Sequence, residues 1–214
     1  MKRILVFGAT GAVGRRVVAE ARSRGHDVTA AIRHPDRAEA LPAGIRTVVA
    51  DICEPAAVRR ALRGQDIAVS ALRPPEGREP ELVAYTRTLL QAGRETGVPL
   101  VIVGGAASLR LPDDPAWTVL TRPGFLPDAV RPIAEACHAQ RQLVLSRTDV
   151  LWSHLCPPAS LQPGRRHGRY RTGSDMLVTG EDGRSEISME DFAVAILDEA
   201  ESRAHAGRSF TVGW

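Results

Sequence analysis

Over the first 104 residues, short β-branched runs alternate with amphipathic helical patterns, and this alternation narrows the fold more than any other feature. RILVFG, DVTAAIR, IRTVVA, DIAVSAL and PLVIVGG read as strands. GRRVVAEARSRG, a short helix at PDRAEAL, PAAVRRALRG and PELVAYTRTLLQAGRETG lie between them. Strands apolar on both faces, separated by amphipathic helices, belong to a parallel sheet covered on both sides. The expected fold class is α/β, a doubly wound parallel sheet in three α/β/α layers, with residues 1–214 forming one domain. In the helix from Glu81, the spacing of Leu82, Tyr85, Leu89 and Ala92 predicts one buried stripe, a matter of packing.

Beyond Gly105 the regularity loosens. The segment at about 105–131 is rich in proline and glycine, and so is that at 157–185; connections this long in a compact domain usually carry function, so both are expected to wall a substrate pocket. Between them a helix at about Ile133 to Ser146 and a strand at DVLWSHLC restore the alternation. The chain closes with the helix SMEDFAVAILDEAE, for which Ser188 and Asp191 form a cap pair, and the strand RSFTVG.

Composition excludes several classes. Hydrophobic residues at 43% and charged residues at 25% are globular proportions, which argues against disorder or a fibrous repeat. No run approaches the about 18 apolar residues of a membrane span, and Gly8 to Gly14 interrupt the N-terminal apolar run where a secretory helix would continue. Cys53, Cys137 and Cys156 are odd in number and widely spaced, fitting neither a disulfide framework nor a zinc site. A cytoplasmic protein with free thiols and no metal is expected. The net charge of +3 comes from arginines scattered among acids, so neither nucleic acid nor membrane is an expected partner. The expected partner is a small-molecule substrate, with a homodimer as the one assembly admitted.

GATGAVGR, at residues 8–15, stands between the first strand and the first helix. A glycine at every third place there serves a tight turn, an approach of the backbone to a pyrophosphate with no Cβ in the way, and close helix packing, while the helix N-terminus favours the anion. The loop predicts a Rossmann dinucleotide site made by Gly8, Thr10, Gly11, Ala12, Val13 and Gly14. The second strand ends beside the adenosine ribose, where an acid selects NAD; Arg33, with Arg37 a little later, suits a 2′-phosphate and predicts NADP (NADPH). Ligands sit at the carboxyl ends of parallel strands, which places Asp51 and Ile52 by the adenine and Ala71, Leu72 and Arg73 by the nicotinamide half.

GATGAVGRRVV, the Asp51-Ile52 pair, VIVGGAASL, ISMEDFAVAILDE and FTVGW together resemble the atypical short-chain dehydrogenase/reductase group, the NmrA-like NAD(P)H-binding proteins, over essentially the whole chain. The resemblance implies a Rossmann fold and a nicotinamide cofactor. It does not imply one activity, since the group includes flavin and quinone reductases, reductases of biosynthetic intermediates, and regulators that bind the cofactor without turning it over.

The typical short-chain dehydrogenase pairs a tyrosine with a lysine four residues later, which lowers the tyrosine's pKa. This chain has only Tyr85 and Tyr170, followed at that distance by Leu89 and Ser174, and its single lysine is Lys2. Pro132 and Ala136 align with the dyad, and Ala159 stands where flavin-reducing relatives can carry a histidine after the Pro-Pro pair. Tyrosine–lysine carbonyl reduction is therefore excluded. Ser108, near the family's substrate-orienting serine, His154 on the sixth strand and Tyr170 in the second loop are the candidate catalytic residues. The expected function is NADPH-dependent reduction of a small aromatic or conjugated acceptor, such as a flavin, a quinone or a biosynthetic intermediate. A non-catalytic NADP(H) sensor and a redox-neutral isomerase or dehydratase are the alternatives.

Overall fold

A computed structural model describes all residues from Met1 to Trp214. The first three strands are β1 (Arg3–Phe7), β2 (Asp27–Ile32) and β3 (Arg46–Val49), followed by β4 (Ile67–Ser70), β5 (Leu100–Val103) and β6 (Trp152–Cys156). Three short strands come next: β7 (Ser160–Gln162), β8 (Arg171–Gly173) and β9 (Glu186–Ser188); β10 (Ser209–Gly213) ends the chain. The helices are α1 (Ala12–Ser23), α2 (Pro55–Leu62), α3 (Glu81–Thr96), α4 (Arg131–Leu145) and α5 (Met189–Ser202).

The main sheet runs β3-β2-β1-β4-β5-β6-β10-β8, parallel throughout except for β8, which lies antiparallel on β10. Strand order reverses between β1 and β4, the crevice in which doubly wound sheets bind ligands. The strands alternate their side chains between two cores. Ile4 and Val6 join the core shared with α1 and α5; Leu5 and Phe7 join the one shared with α2, α3 and α4. A third, small cluster of Leu109, Leu111, Val119, Cys156 and Leu177 ties the two long connections to the end of β6.

Local sequence accounts for the element ends. Helix α5 starts where Ser188 Oγ accepts the Asp191 N–H at 3.0 Å, the expected cap, and the Lys2 ammonium donates to the Ala200 and Glu201 carbonyls, both at 2.9 Å, at its other end. Gly97, at φ +71°, stops α3 in the left-handed conformation. The short helix expected at PDRAEAL is of the 3-10 kind, at Pro35–Ala40. Two readings need correction: β3 is an edge strand with three of its four residues exposed, and the second long connection contains β7, β8 and β9. Strands β7 and β9 pair only with each other, as a two-stranded sheet beside the carboxyl ends of the main one.

Candidate nucleotide and acceptor site

A cavity of about 830 Å³ opens over the carboxyl ends of the parallel strands, towards the upper end of ordinary ligand pockets, which run from about 300 to 1,000 Å³. The glycine loop forms one wall. Gly8 takes φ +73°, and a Cβ there would lie 2.4 Å from the Ala71 carbonyl oxygen, so β1 and β4 come this close only with glycine present. A Cβ on Gly14 would lie 2.0 Å from the Gly8 carbonyl oxygen; this is the helix-packing glycine. Gly11 lines the cavity at the N-cap of α1, and no side chain caps that helix. The first N–H groups of α1 are thus left to a ligand, and no acid in the first turn competes with an anion.

Of the expected cofactor residues, Gly8, Thr10, Gly11, Ala12, Val13, Arg33, Ile52, Ala71, Leu72 and Arg73 line the cavity. Gly14 and Asp51 do not. Gly14 packs beneath the loop, and the Asp51 carboxylate accepts the Cys53 N–H at 2.9 Å, shaping the turn after β3. Arg37 joins Arg33 at the end of β2. Arg33, Arg37 and Arg73 take part in no ion pair, whereas Arg3, Arg16, Arg24 and Arg166 are all paired with carboxylates. No aspartate or glutamate lines the cavity. Three guanidiniums outside any ion pair, in a pocket without carboxylates, give it a cationic lining suited to phosphates.

The opposite end is apolar. The connection after β5 supplies Gly104 to Ala107, Val119 and Phe125 to Pro127; α4 supplies Ile133, Ala134 and Cys137 just after Val130; Pro157 to Ala159, Leu161, Gln162 and Met189 close the far side. The cavity-facing pair at helical spacing on α4 is Ile133 and Cys137, one residue on from Pro132 and Ala136. Burial pushes the Cys137 thiol up to about 12, partly offset by the Arg73 guanidinium. Tyr85, expected only to pack, also borders the cavity while 7% exposed. Its hydroxyl donates to Glu81 at 2.5 Å, and burial, then that carboxylate, raises its pKa to about 12.

The three candidate catalytic residues all lie outside the lining, and each is placed by a specific contact. Ser108 is buried against α4, its hydroxyl 2.9 Å from His138 Nδ1; the cavity-facing place two residues earlier belongs to Ala106. His154 is fully buried behind Gly104, where a Cβ would come 2.4 Å from the imidazole, and desolvation lowers its pKa to about 3. Its Nδ1 meets Ser209 Oγ at 3.0 Å, and Nε2 has no partner. Cys156, on the same face of β6, is equally buried, with its pKa raised to about 11 by desolvation. Tyr170 packs at α5 and donates its hydroxyl to Asp198 at 2.6 Å. No acid or base of ordinary pKa faces the apolar end.

Residues 8–202 match the family model of NAD(P)H-binding proteins. The chain belongs to that NAD(P)H-binding family. Among solved structures, a Burkholderia pseudomallei protein provisionally described as exported is 36% identical over the whole of both chains, with a TM-score of 0.90. A Bacteroides thetaiotaomicron protein provisionally named an epimerase is 31% identical over 100% of this chain and 97% of that one, at TM-score 0.89. A Streptococcus pneumoniae protein provisionally named an NADH-flavin reductase is 25% identical over 100% and 99%, also at 0.89. The glycine loop, the uncapped start of α1 and the unpaired arginines fit the dinucleotide such a family binds. No helix is long and apolar enough to cross a membrane.

Proposed function

We propose that this chain is an NADPH-dependent reductase of the atypical short-chain dehydrogenase type, NmrA-like, acting on a small aromatic or conjugated acceptor. The observation that carries this reading is one cavity that combines three unpaired arginines with a broad apolar lining and no carboxylate. Arg33 and Arg37 hold the 2′-phosphate, the start of α1 holds the pyrophosphate, and Ile52 packs on the adenine. A reduced nicotinamide bound there supplies a hydride. Cys137 and Tyr85 both have pKa values near 12, so neither is tuned to deliver a proton near neutrality. The apolar walls orient the acceptor, and water protonates the product. That division of labour suits an acceptor whose own conjugation stabilises the anion left by hydride addition. The three free cysteines support a place in the reducing cytoplasm.

The test is a fluorescence titration with NADPH and NADH, followed by flavin and quinone acceptors while reduced-nicotinamide absorbance is recorded. Tighter binding of NADPH than NADH, and oxidation that depends on the acceptor, are expected. Binding without oxidation across the panel turns the reading to redox-neutral chemistry, the second reading, which the likeness to the Bacteroides protein favours. Binding of neither nucleotide overturns both.

A further inference from the structure

With Arg33 and Arg37 on the 2′-phosphate and the start of α1 on the pyrophosphate, Arg73 is left without an anion. Its guanidinium forms no ion pair, and no carboxylate lines the cavity to form one. Its place also differs from that of the other two. Arg33 follows β2 and Arg73 follows β4, and in the order β2-β1-β4-β5 those strands stand two places apart, about 10 Å at the usual strand spacing. Strand β4 pairs with β5, so Arg73 stands beside the stretch after β5, where Cys137 of α4 packs against Gly105. The electrostatics agree with this order. Arg78 and Tyr85, with the Arg33 charge adding to them, lower the pKa of Glu81 at the start of α3, whereas the cation that offsets the burial of the Cys137 thiol is Arg73. Pro74, itself buried, follows Arg73 directly and confines it to extended backbone, so the root of the side chain is held in place.

We propose that Arg73 receives a carboxylate carried by the acceptor, whose ring lies against the apolar walls supplied by α4 and the connection after β5. The inference rests on the reading that a conjugated acceptor shares this cavity with the nucleotide, and it narrows that acceptor to aromatic or conjugated acids. A guanidinium presents parallel N–H groups that match the two oxygens of a carboxylate. The apolar neighbours Ala106, Val130 and Ile133 favour a singly charged anion over a phosphate dianion, whose dehydration costs more. Arg73 stays protonated throughout and takes no part in the hydride transfer; it selects and orients the acceptor.

The probes are 2-naphthoate and 2-naphthamide, which share a ring system, differ in charge and react with neither hydride nor thiol. Each is titrated by isothermal calorimetry into protein saturated with NADP⁺, which occupies Arg33 and Arg37 and leaves Arg73 as the cation under test. The native chain should hold the acid about tenfold more tightly than the amide, the scale of one charge-assisted contact. Arg73→Gln, resaturated with NADP⁺, should bring the two to the same affinity. Arg33→Gln, likewise resaturated, should keep the preference for the acid. The melting temperature of each variant serves as the control of fold. Equal affinity for acid and amide in the native protein, a preference that survives Arg73→Gln, one that is lost in Arg33→Gln, or binding of neither probe overturns the role of Arg73. NADPH oxidation by quinone acceptors is read separately. A preference that depends on Arg73 without any oxidation upholds the carboxylate site and defeats the reductase reading; oxidation without the preference does the reverse.

Discussion

Gly8 and Gly14 meet at a single carbonyl oxygen, with no room for a methyl group between helix and loop. Gly14→Ala would place its Cβ 2.0 Å from backbone, which cannot yield as a side chain tip does, so we expect about 2 kcal/mol or more of destabilisation and loss of NADPH binding, measured by urea denaturation and nucleotide titration. At the opposite side of the nucleotide, Arg33→Gln and Arg37→Gln each remove a charge-assisted contact worth about 1.5–3 kcal/mol. Each should raise the NADPH dissociation constant by about tenfold or more and leave that for NADH nearly unchanged, since NADH has no 2′-phosphate to lose. His154 allows a signed prediction on pH. Its folded-state pKa, near 3, lies below the about 6.5 of an unfolded histidine, so the unfolded chain takes up its proton first as pH falls. The contribution is fully present above pH about 6.5 and is lost as pH drops towards 3. Between about pH 6 and 5, where carboxylates titrate little, the stability of the native chain should fall more steeply than that of His154→Gln by up to about 1.4 kcal/mol per pH unit, a slope difference of one proton.

At the scale of elements, α5 organises the segment that closes the acceptor end. Asp191 is fully buried, and its carboxylate accepts the His167 and Gly168 N–H groups, each at 2.8 Å, and the Trp214 indole N–H at 3.0 Å. Asp191→Asn keeps the volume but turns an amide NH₂ towards donors, and should cost about 2–4 kcal/mol by chemical denaturation. Ser188→Ala removes only the cap and a bond to the Arg165 carbonyl, and should cost about 1 kcal/mol. The Ser188–Asp191 cap was legible in sequence because capping is local, and so were β1, its glycine loop and α1. Strands β7, β8 and β9 were not: at three residues each, they are too short for a period to show. The cavity face of α4, with Ile133 and Cys137, went unread because alanines at 134, 136 and 139 surround the helix and blur its apolar stripe. That Ser108 and His154 lie outside the cavity lining was not legible for a related reason. Strand β6 is buried on both faces, so alternation finds the faces without telling which one meets a ligand, and the place held by Ser108 depends on the 3-10 turn at Ala106–Ser108.

At the scale of the whole molecule, the lining of the cavity runs from Phe7 to Met189 and draws on the carboxyl ends of β1 to β6, or the residues just past them, and on α1, α3, α4 and α5. A nucleotide bound there touches both cores and both long connections at once, because the switch point between β1 and β4 gathers the carboxyl ends of strands far apart in sequence. Unfolding any part of the sheet then removes part of the site, so binding should stabilise the fold as one unit. A ligand that binds only the native state adds about 2.7 kcal/mol at a hundred times its dissociation constant. For a chain of 214 residues, each kcal/mol raises the melting temperature by about 2–4 °C, which gives an expected rise of about 5–10 °C. Scanning calorimetry at that ratio of NADPH should show one transition that moves as a whole. NADH at the same concentration should move it less, and the gap between the two should close in the Arg33→Gln, Arg37→Gln double variant. A second transition that stays in place under NADPH would mean that β10, β8 and the small β7-β9 sheet melt apart from the nucleotide site. The core that α5 shares with β1, β6 and β10 argues against that outcome, since Phe192, Ile196 and Phe210 are packed together with Val6 and Leu155 in one cluster.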